Sequence, residues 1–252
     1  MSFLGGLKNC LAFLTIIPVG MDEDGIRQAA SYMPLFSLVG ALVGLMAGAF
    51  VWILGLVLPS AVVGILGVGL ILLVNGVQHV DGLLDFGDGL MCHGSRERKL
   101  RVMRDPATGA GGLALGIVVL VTTALSISAL NRSIMVQGLI VCEAAAKFSM
   151  VFEAWAGKSA REGMNTVFVN AMHARYGNPK MIASVTMLVL ISFPLLRQVG
   201  LLVSLVAILV SIIILGVAQR NLGGITGDVM GATNEITRLV SLLVILGASQ
   251  WV

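Results

Sequence analysis

PLFSLVGALVGLMAGAFVWILGLVL, residues 34–58, holds no charged side chain. The hydrocarbon core of a bilayer is about 30 Å thick and takes about 20 apolar residues as a helix, so this run is long enough to cross one. Outward from it the pattern repeats. Pro59-Ser60 breaks the run and residues 61–77 return. Residues 112–130 and 134–152 form a second pair around the turn Asn131-Arg132-Ser133, and residues 181–196 and 200–218 a third around Arg197-Gln198. A shorter run starts at Leu239. The sequence therefore predicts an all-α fold: a polytopic membrane helical bundle of about seven transmembrane helices, forming a single integral membrane domain over residues 1–252.

Composition agrees. Charged residues make up 12% of the chain, about half the share of an ordinary soluble domain, and hydrophobic residues 57%. Residues 1–33 do not read as a cleaved signal, because Gly5, Gly6 and Pro18 interrupt the apolar stretch and no small-residue cleavage site follows. They read as an N-terminal segment lying in the membrane interface. Cys10, Cys92 and Cys142 have neither metal-ligand spacing nor an even count, so no disulfide framework is expected. A net charge of +3 on so little soluble surface points to membrane orientation and membrane lipid, and to no nucleic acid as partner.

Three polar stretches separate the spans: residues 78–109, 153–180 and 219–238. With the N-terminus inside, these stretches and the N-terminal segment carry thirteen Lys and Arg, against Arg132 and Arg197 in the opposite turns. This bias expects a multi-pass protein of the cytoplasmic membrane with its active site facing the cytoplasm. Small residues at Gly40, Gly44 and Gly48 suit helix packing within one chain or in a homo-oligomer.

The first polar stretch carries the chemistry. In His79-Val-Asp81-Gly-Leu-Leu-Asp85-Phe-Gly-Asp88-Gly, three aspartates at i, i+4 and i+7 share one helix face. Three like charges at a membrane repel one another and are costly to hold there. A hard cation removes both costs, and oxygen ligands of this kind suit Mg²⁺. The alternative is a solvated acidic helix end. Arg96, Arg98, Lys99, Arg101 and Arg104 follow, and read equally as phosphate ligands or as a topology signal touching anionic lipid. The third polar stretch holds Gly223-Gly-Ile-Thr226-Gly-Asp228-Val-Met-Gly-Ala-Thr-Asn234-Glu235. There Asp228 is a fourth candidate metal ligand, and Asn234 and Glu235 are candidate oxygen ligands or ribose contacts. Glu143 and Lys147, one turn apart inside a span, can neutralise each other and read equally as a structural pair or as a pocket-lining pair, and Met164 and Met172 are expected to pack. Acids for a metal, bases for phosphates and glycines for close approach together indicate transfer chemistry on a diphosphate.

These residues resemble a known family. The segment His79 to Gly89 is similar to the H-x-D-G-x-x-D-x-x-D-G signature of the cobalamin-5′-phosphate synthases, the adenosylcobinamide-GDP ribazoletransferases. Arg101-Val-Met-Arg104-Asp105 with Thr108-Gly-Ala-Gly-Gly112 resembles that family's basic-Asp and I-G-A-x-G segment. Gly223 to Glu235 resembles its G-G-x-T-G-D-x-x-G-A-x-x-E motif, and Phe13 to Val19 its F-x-T-x-x-P run. Two departures stand out. Phe86-Gly87 replaces the usual small residues, and Pro106-Ala-Thr108 stands where many members have Ser-Arg-Ile, which leaves a basic contact to Arg104.

The resemblance implies a Mg²⁺-dependent phosphotransferase of the cell membrane. Its substrates would be adenosylcobinamide-GDP and α-ribazole or α-ribazole 5′-phosphate, joined with release of GMP. His79, Asp81, Asp85 and Asp88 would be catalytic. Asp81, Asp85, Asp88 and Asp228 would hold the metal. Arg98, Arg101, Arg104, Asp105, Thr226, Asn234 and Glu235 would contact substrate. Two other classes are the alternatives. CDP-alcohol phosphotransferases carry D-G-x-x-A-R, and the match fails where Leu84-Asp85 follows Asp81-Gly82. A membrane transporter would place charges at midplane and commonly show internal repeats, which this sequence lacks.

Overall fold

The computed structural model describes residues 2–248. The chain folds into helices: α1 Phe3–Leu14, α2 Gly25–Ser31, a single 3₁₀ turn Met33–Leu35, α3 Phe36–Leu54, α4 Ser60–Val74, α5 Gln78–Met91, α6 Arg96–Val102, α7 Ala110–Ala129, α8 Met135–Ala156, α9 Met164–His173, α10 Gly177–Leu222 and α11 Gly227–Gly247. Among the described residues the only β pairing is an isolated parallel bridge, Ser159 to Ile225. Among the described residues five helices are long and apolar enough to cross a membrane, and α4 with α5, taken as one bent pair, would make a sixth span.

One of the five is not a straight rod. At Arg197 the backbone leaves the helical region (φ 49°, ψ −125°). Twelve residues of straight helix would separate Ser192 from Ser204 by roughly 18 Å, yet their hydroxyls meet at 2.9 Å. The chain doubles back at the turn the sequence predicts, so α10 is two antiparallel arms. Counting both arms and α4 gives seven apolar helical segments among the described residues.

Helix α8 is the axis of the bundle, with α3, α10 and α11 around it. It is the most enclosed of the candidate spans, because it carries Glu143, Lys147 and Glu153 and lipid cannot solvate those groups. Helix α3 lies almost backbone to backbone on α8. A Cβ on Gly40 would stand 2.3 Å from the Glu143 carbonyl oxygen, and one on Gly44 2.2 Å from that of Leu139. The small-residue face is thus consumed within the chain and gives no support to a homo-oligomer.

Two features position the site. Gly76 and Val77 both take left-handed backbone (φ 68° and 54°), and α4 and α5 meet there at 98°. The third polar stretch corrects the sequence reading. Residues 219–238 are expected as a polar segment between spans, but α10 runs to Leu222 and α11 begins at Gly227. Thr233, Asn234, Glu235 and Arg238 are buried in α11, where Arg238 pairs with Glu235 on the same helix and with Glu143 on α8.

Candidate active site

Helix α5 lies across the beginnings of two other helices. A Cβ on Gly82 would be 2.8 Å from the Asp228 Cα at the start of α11, and one on Gly87 2.9 Å from the Gly112 Cα at the start of α7. Glycine at both points lets the backbones approach. His79, Gly82, Leu83, Phe86, Gly87 and Gly89 form the buried face of α5. Asp81 is exposed, and Asp85 and Asp88 are half-buried.

The aspartates have different surroundings. Asp88 caps α7, its two carboxylate oxygens accepting the backbone N–H groups of Gly109 at 2.7 Å and Gly112 at 2.8 Å. A helix start offers unpaired donors and partial positive charge, so this carboxylate is compensated without a cation. Asp85, in the polar stretch between α4 and α7, has no such partner among the described residues. Burial, then the charges of Asp228, Asp81 and Asp88, push its carboxyl up to about 7.

Asp228 connects the acidic cluster to the basic side chains. Its Oδ2 accepts from the Thr226 hydroxyl at 3.1 Å and from Arg161 at 3.3 Å. Thr226 is also the N-cap of α11, accepting from the Val229 N–H at 3.2 Å. Arg161 reaches the Leu100 carbonyl at 3.1 Å with its other nitrogen. Burial lowers the Arg161 pKa, and Asp228 opposes that shift. Sequence reading counted Arg161 only toward topology. The pairing has no local signal, because its partners lie 61 and 67 residues away.

The basic helix α6 is capped by Ser95, whose hydroxyl accepts from the Arg98 N–H at 3.4 Å. Arg98, Arg101 and Arg104 are exposed, and among the described residues none of them forms an ion pair within 4 Å. They remain available to an anionic ligand. Lys99 is committed, donating to Asn221 Oδ1 at 2.7 Å. Asp105 is exposed, and its Oδ1 accepts from the Ala107 N–H at 3.0 Å, which shapes the turn before α7.

Below the acids runs a buried polar chain. Lys147 Nζ stands 3.4 Å from His79 Nδ1 and donates to Asn234 Oδ1 at 3.0 Å. Asn234 donates to Glu235 Oε1 at 3.0 Å, and Arg238 binds both Glu235 and Glu143. A Glu143–Lys147 pair gives way to Glu143–Arg238. Asn234 and Glu235 are spent in this network inside the bundle, not on its open surface.

Beside the acids opens a cavity of about 230 Å³, with His79 and Asp228 in its wall. Among the described residues, no three His, Cys, Asp or Glu side chains converge closely enough to hold a metal by themselves. The site can place negative charge, one or two free carboxylates and several mobile cations around an anion bridging α5, α6 and the start of α11.

The sequence profile of the cobalamin-5-phosphate synthases matches residues 6–246. The chain is 34% identical to the adenosylcobinamide-GDP ribazoletransferase of Methanocella arvoryzae over 264 aligned positions, covering 99% of this chain and 98% of the relative. Identity is 30% to that of Methanococcoides burtonii, over 96% and 92% of the two chains. It is 31% to that of Pyrococcus abyssi, over 95% and 97%. No solved structure matches. A profile match over nearly the whole length, joined to the aspartate helix crossing two helix beginnings, places this chain in the cobalamin-5-phosphate synthase family.

Proposed function

We propose that this protein transfers the adenosylcobinamide-phosphate part of adenosylcobinamide-GDP to α-ribazole or its 5′-phosphate, the step that assembles the nucleotide loop of cobalamin. A ribazole hydroxyl oxygen forms a bond to the phosphorus that carries the cobinamide. The bond from that phosphorus to the oxygen bridging the two phosphates breaks, GMP leaves with the electron pair, and the hydroxyl proton passes to a base. The observation that carries this reading is the acidic cluster of Asp81, Asp85 and Asp228 with Arg161 and Arg104 in its field, in which Arg161 compensates Asp228 alone.

Mg²⁺ fits this donor set. The ion takes one or two carboxylates and completes its shell with phosphate and water. That is the number the chain can direct at one point, given that no three acids converge. Asp85, with either Asp81 or Asp228, would hold it, and Asp88 would stay on α7. When bound, the ion supplies charge neutralisation to the diphosphate. The chain's own residues do the rest. Arg104 and Arg161 flank the acids and draw the phosphates in, the arginines of α6 screen the guanosine side, and Thr226 orients Asp228. The Lys and Arg bias between the two ends of the bundle supports an active site facing the cytoplasm from the cell membrane.

The test uses purified protein in detergent or lipid with adenosylcobinamide-GDP, the ribazole acceptor and Mg²⁺. GMP and a cobalamin product should appear together and disappear with a chelator. Absence of both products with Mg²⁺ present rejects the reaction.

A further inference from the structure

The cavity beside Asp228 differs in chemistry from the acidic cluster it adjoins. Phe13 of α1 and Phe168 of α9 meet in its wall with ring centroids 4.7 Å apart. Met150, Met164 and Met230 complete an apolar lining contributed by α8, α9 and α11. Asp228 and His79 stand at one side of it. An anion would not choose these walls, and a flat aromatic ring would: phenyl rings offer stacking or edge contacts, and methionine sulfur is polarisable and adapts to ring shape.

Size narrows the choice. An apolar cavity of about 150 Å³ holds a benzene, so this cavity of about 230 Å³ has room for a fused two-ring system and not for a corrin macrocycle. Polarity narrows it again. Guanine carries donors and acceptors on its edges that lose free energy unless each finds a partner. The Asn165 amide nitrogen is already committed to Ser159 Oγ at 3.0 Å and the Ile225 carbonyl at 3.1 Å. A benzimidazole makes few such demands.

We infer that the Phe13–Phe168–methionine cavity is the subsite for the bicyclic aromatic base of the ribazole acceptor, and that it sets which bases are accepted. This assignment rests on the proposed transfer reaction. It places the acceptor's ribose at the Asp228 side of the cavity, facing the acids that receive the diphosphate. Three methionines in the wall make the pocket tolerant of ring substituents, and Phe168, only 2% exposed, limits depth.

The experiment is Met164→Trp in the full chain. Met164 is 58% exposed, so an indole there narrows the mouth without disturbing the core. The KM for the ribazole acceptor should rise roughly tenfold, the loss of about one aromatic contact, while the KM for adenosylcobinamide-GDP stays within about twofold. A rise in the donor KM instead, or no change in either, overturns the assignment. Phe168→Ala should shift relative turnover toward bulkier bases. A parallel arm needs no turnover: equilibrium binding of the benzimidazole riboside, without donor, to wild type and Met164→Trp. Binding to wild type that weakens in the variant, in a protein that never releases GMP, keeps the pocket and rejects the reaction. Transfer with equal riboside binding in both proteins keeps the reaction and rejects the pocket. Wild type that fails to bind the riboside rejects the pocket.

Discussion

Lys147 Nζ on α8 lies 3.4 Å from His79 Nδ1 on α5, with both side chains buried. With the ammonium as donor, Nδ1 accepts, and the ring's remaining proton sits on Nε2. His79 then presents a donor beyond α5, which suits contact with a phosphate oxygen better than proton abstraction. Lys147→Met should therefore alter the His79 tautomer, read in the ring nitrogen shifts of ¹⁵N-histidine-labelled protein.

The two half-buried aspartates of α5 should respond differently to substitution. Asp85→Asn should lower transfer by at least about a hundredfold, the usual cost of removing a group that organises charge at a reacting centre, without lowering the melting temperature. Asp88→Ala should lower activity and also cost about 1 kcal/mol of stability, because it removes the cap of α7. Melting in detergent alongside GMP release separates the two. Equal melting temperatures for wild type and Asp88→Ala would remove the capping role.

Protons and a divalent cation should compete for the acids. The Asp85 pKa is raised from 3.8 to about 7 in the folded chain. The folded state therefore binds that proton more tightly than the unfolded state. Its contribution to stability is present below about pH 4 and is lost as pH rises through about 7. Mg²⁺ should restore stability above that range and do little near pH 5. Melting curves with chelator and with Mg²⁺ across this range test the sign, and a Mg²⁺-induced stabilisation that grows as pH falls would reverse it.

Four buried charges of α8 and α11 should behave as one unit. Glu143, Glu235, Lys147 and Arg238 sum to zero net charge. Arg238→Met leaves two carboxylates facing one ammonium and should cost about 3–5 kcal/mol, the usual penalty for orphaning a buried charge. Glu143→Gln with Lys147→Met keeps Arg238 paired with Glu235 and should cost much less than either single change predicts. Monodisperse yield and melting temperature of the single and double variants measure this coupling.

Two glycines offer a paired test of the packing. A Cβ on Gly44 would sit 2.2 Å from the Leu139 carbonyl oxygen, whereas one on Gly69 of α4 meets nothing within 4 Å. Gly44→Ala should force α3 off α8 and cost more than about 2 kcal/mol. Gly69→Ala should be neutral or gain up to about 1 kcal/mol from helix propensity. Melting temperatures that move alike would refute the close crossing.

Much of this protein was legible in its sequence because a bilayer allows so few solutions. Every backbone N–H in hydrocarbon must be bonded within its own segment. Apolar runs such as residues 34–58 could therefore only be helices, and the break at Arg197 could only be a turn. The period of Asp81, Asp85 and Asp88 likewise put three acids on one face. What the sequence could not supply was the partner of each charge. Asp88 belongs to Gly109 and Gly112, Asp228 to Arg161, and Glu143 to Arg238, across separations of 21 to 95 residues. Residues 219–238 read as a polar stretch between spans because hydropathy counts each charge as if it stood alone. The tertiary structure buries them because oppositely charged groups from α8 and α11 meet and cancel, and only the packing of one helix on another brings them within reach.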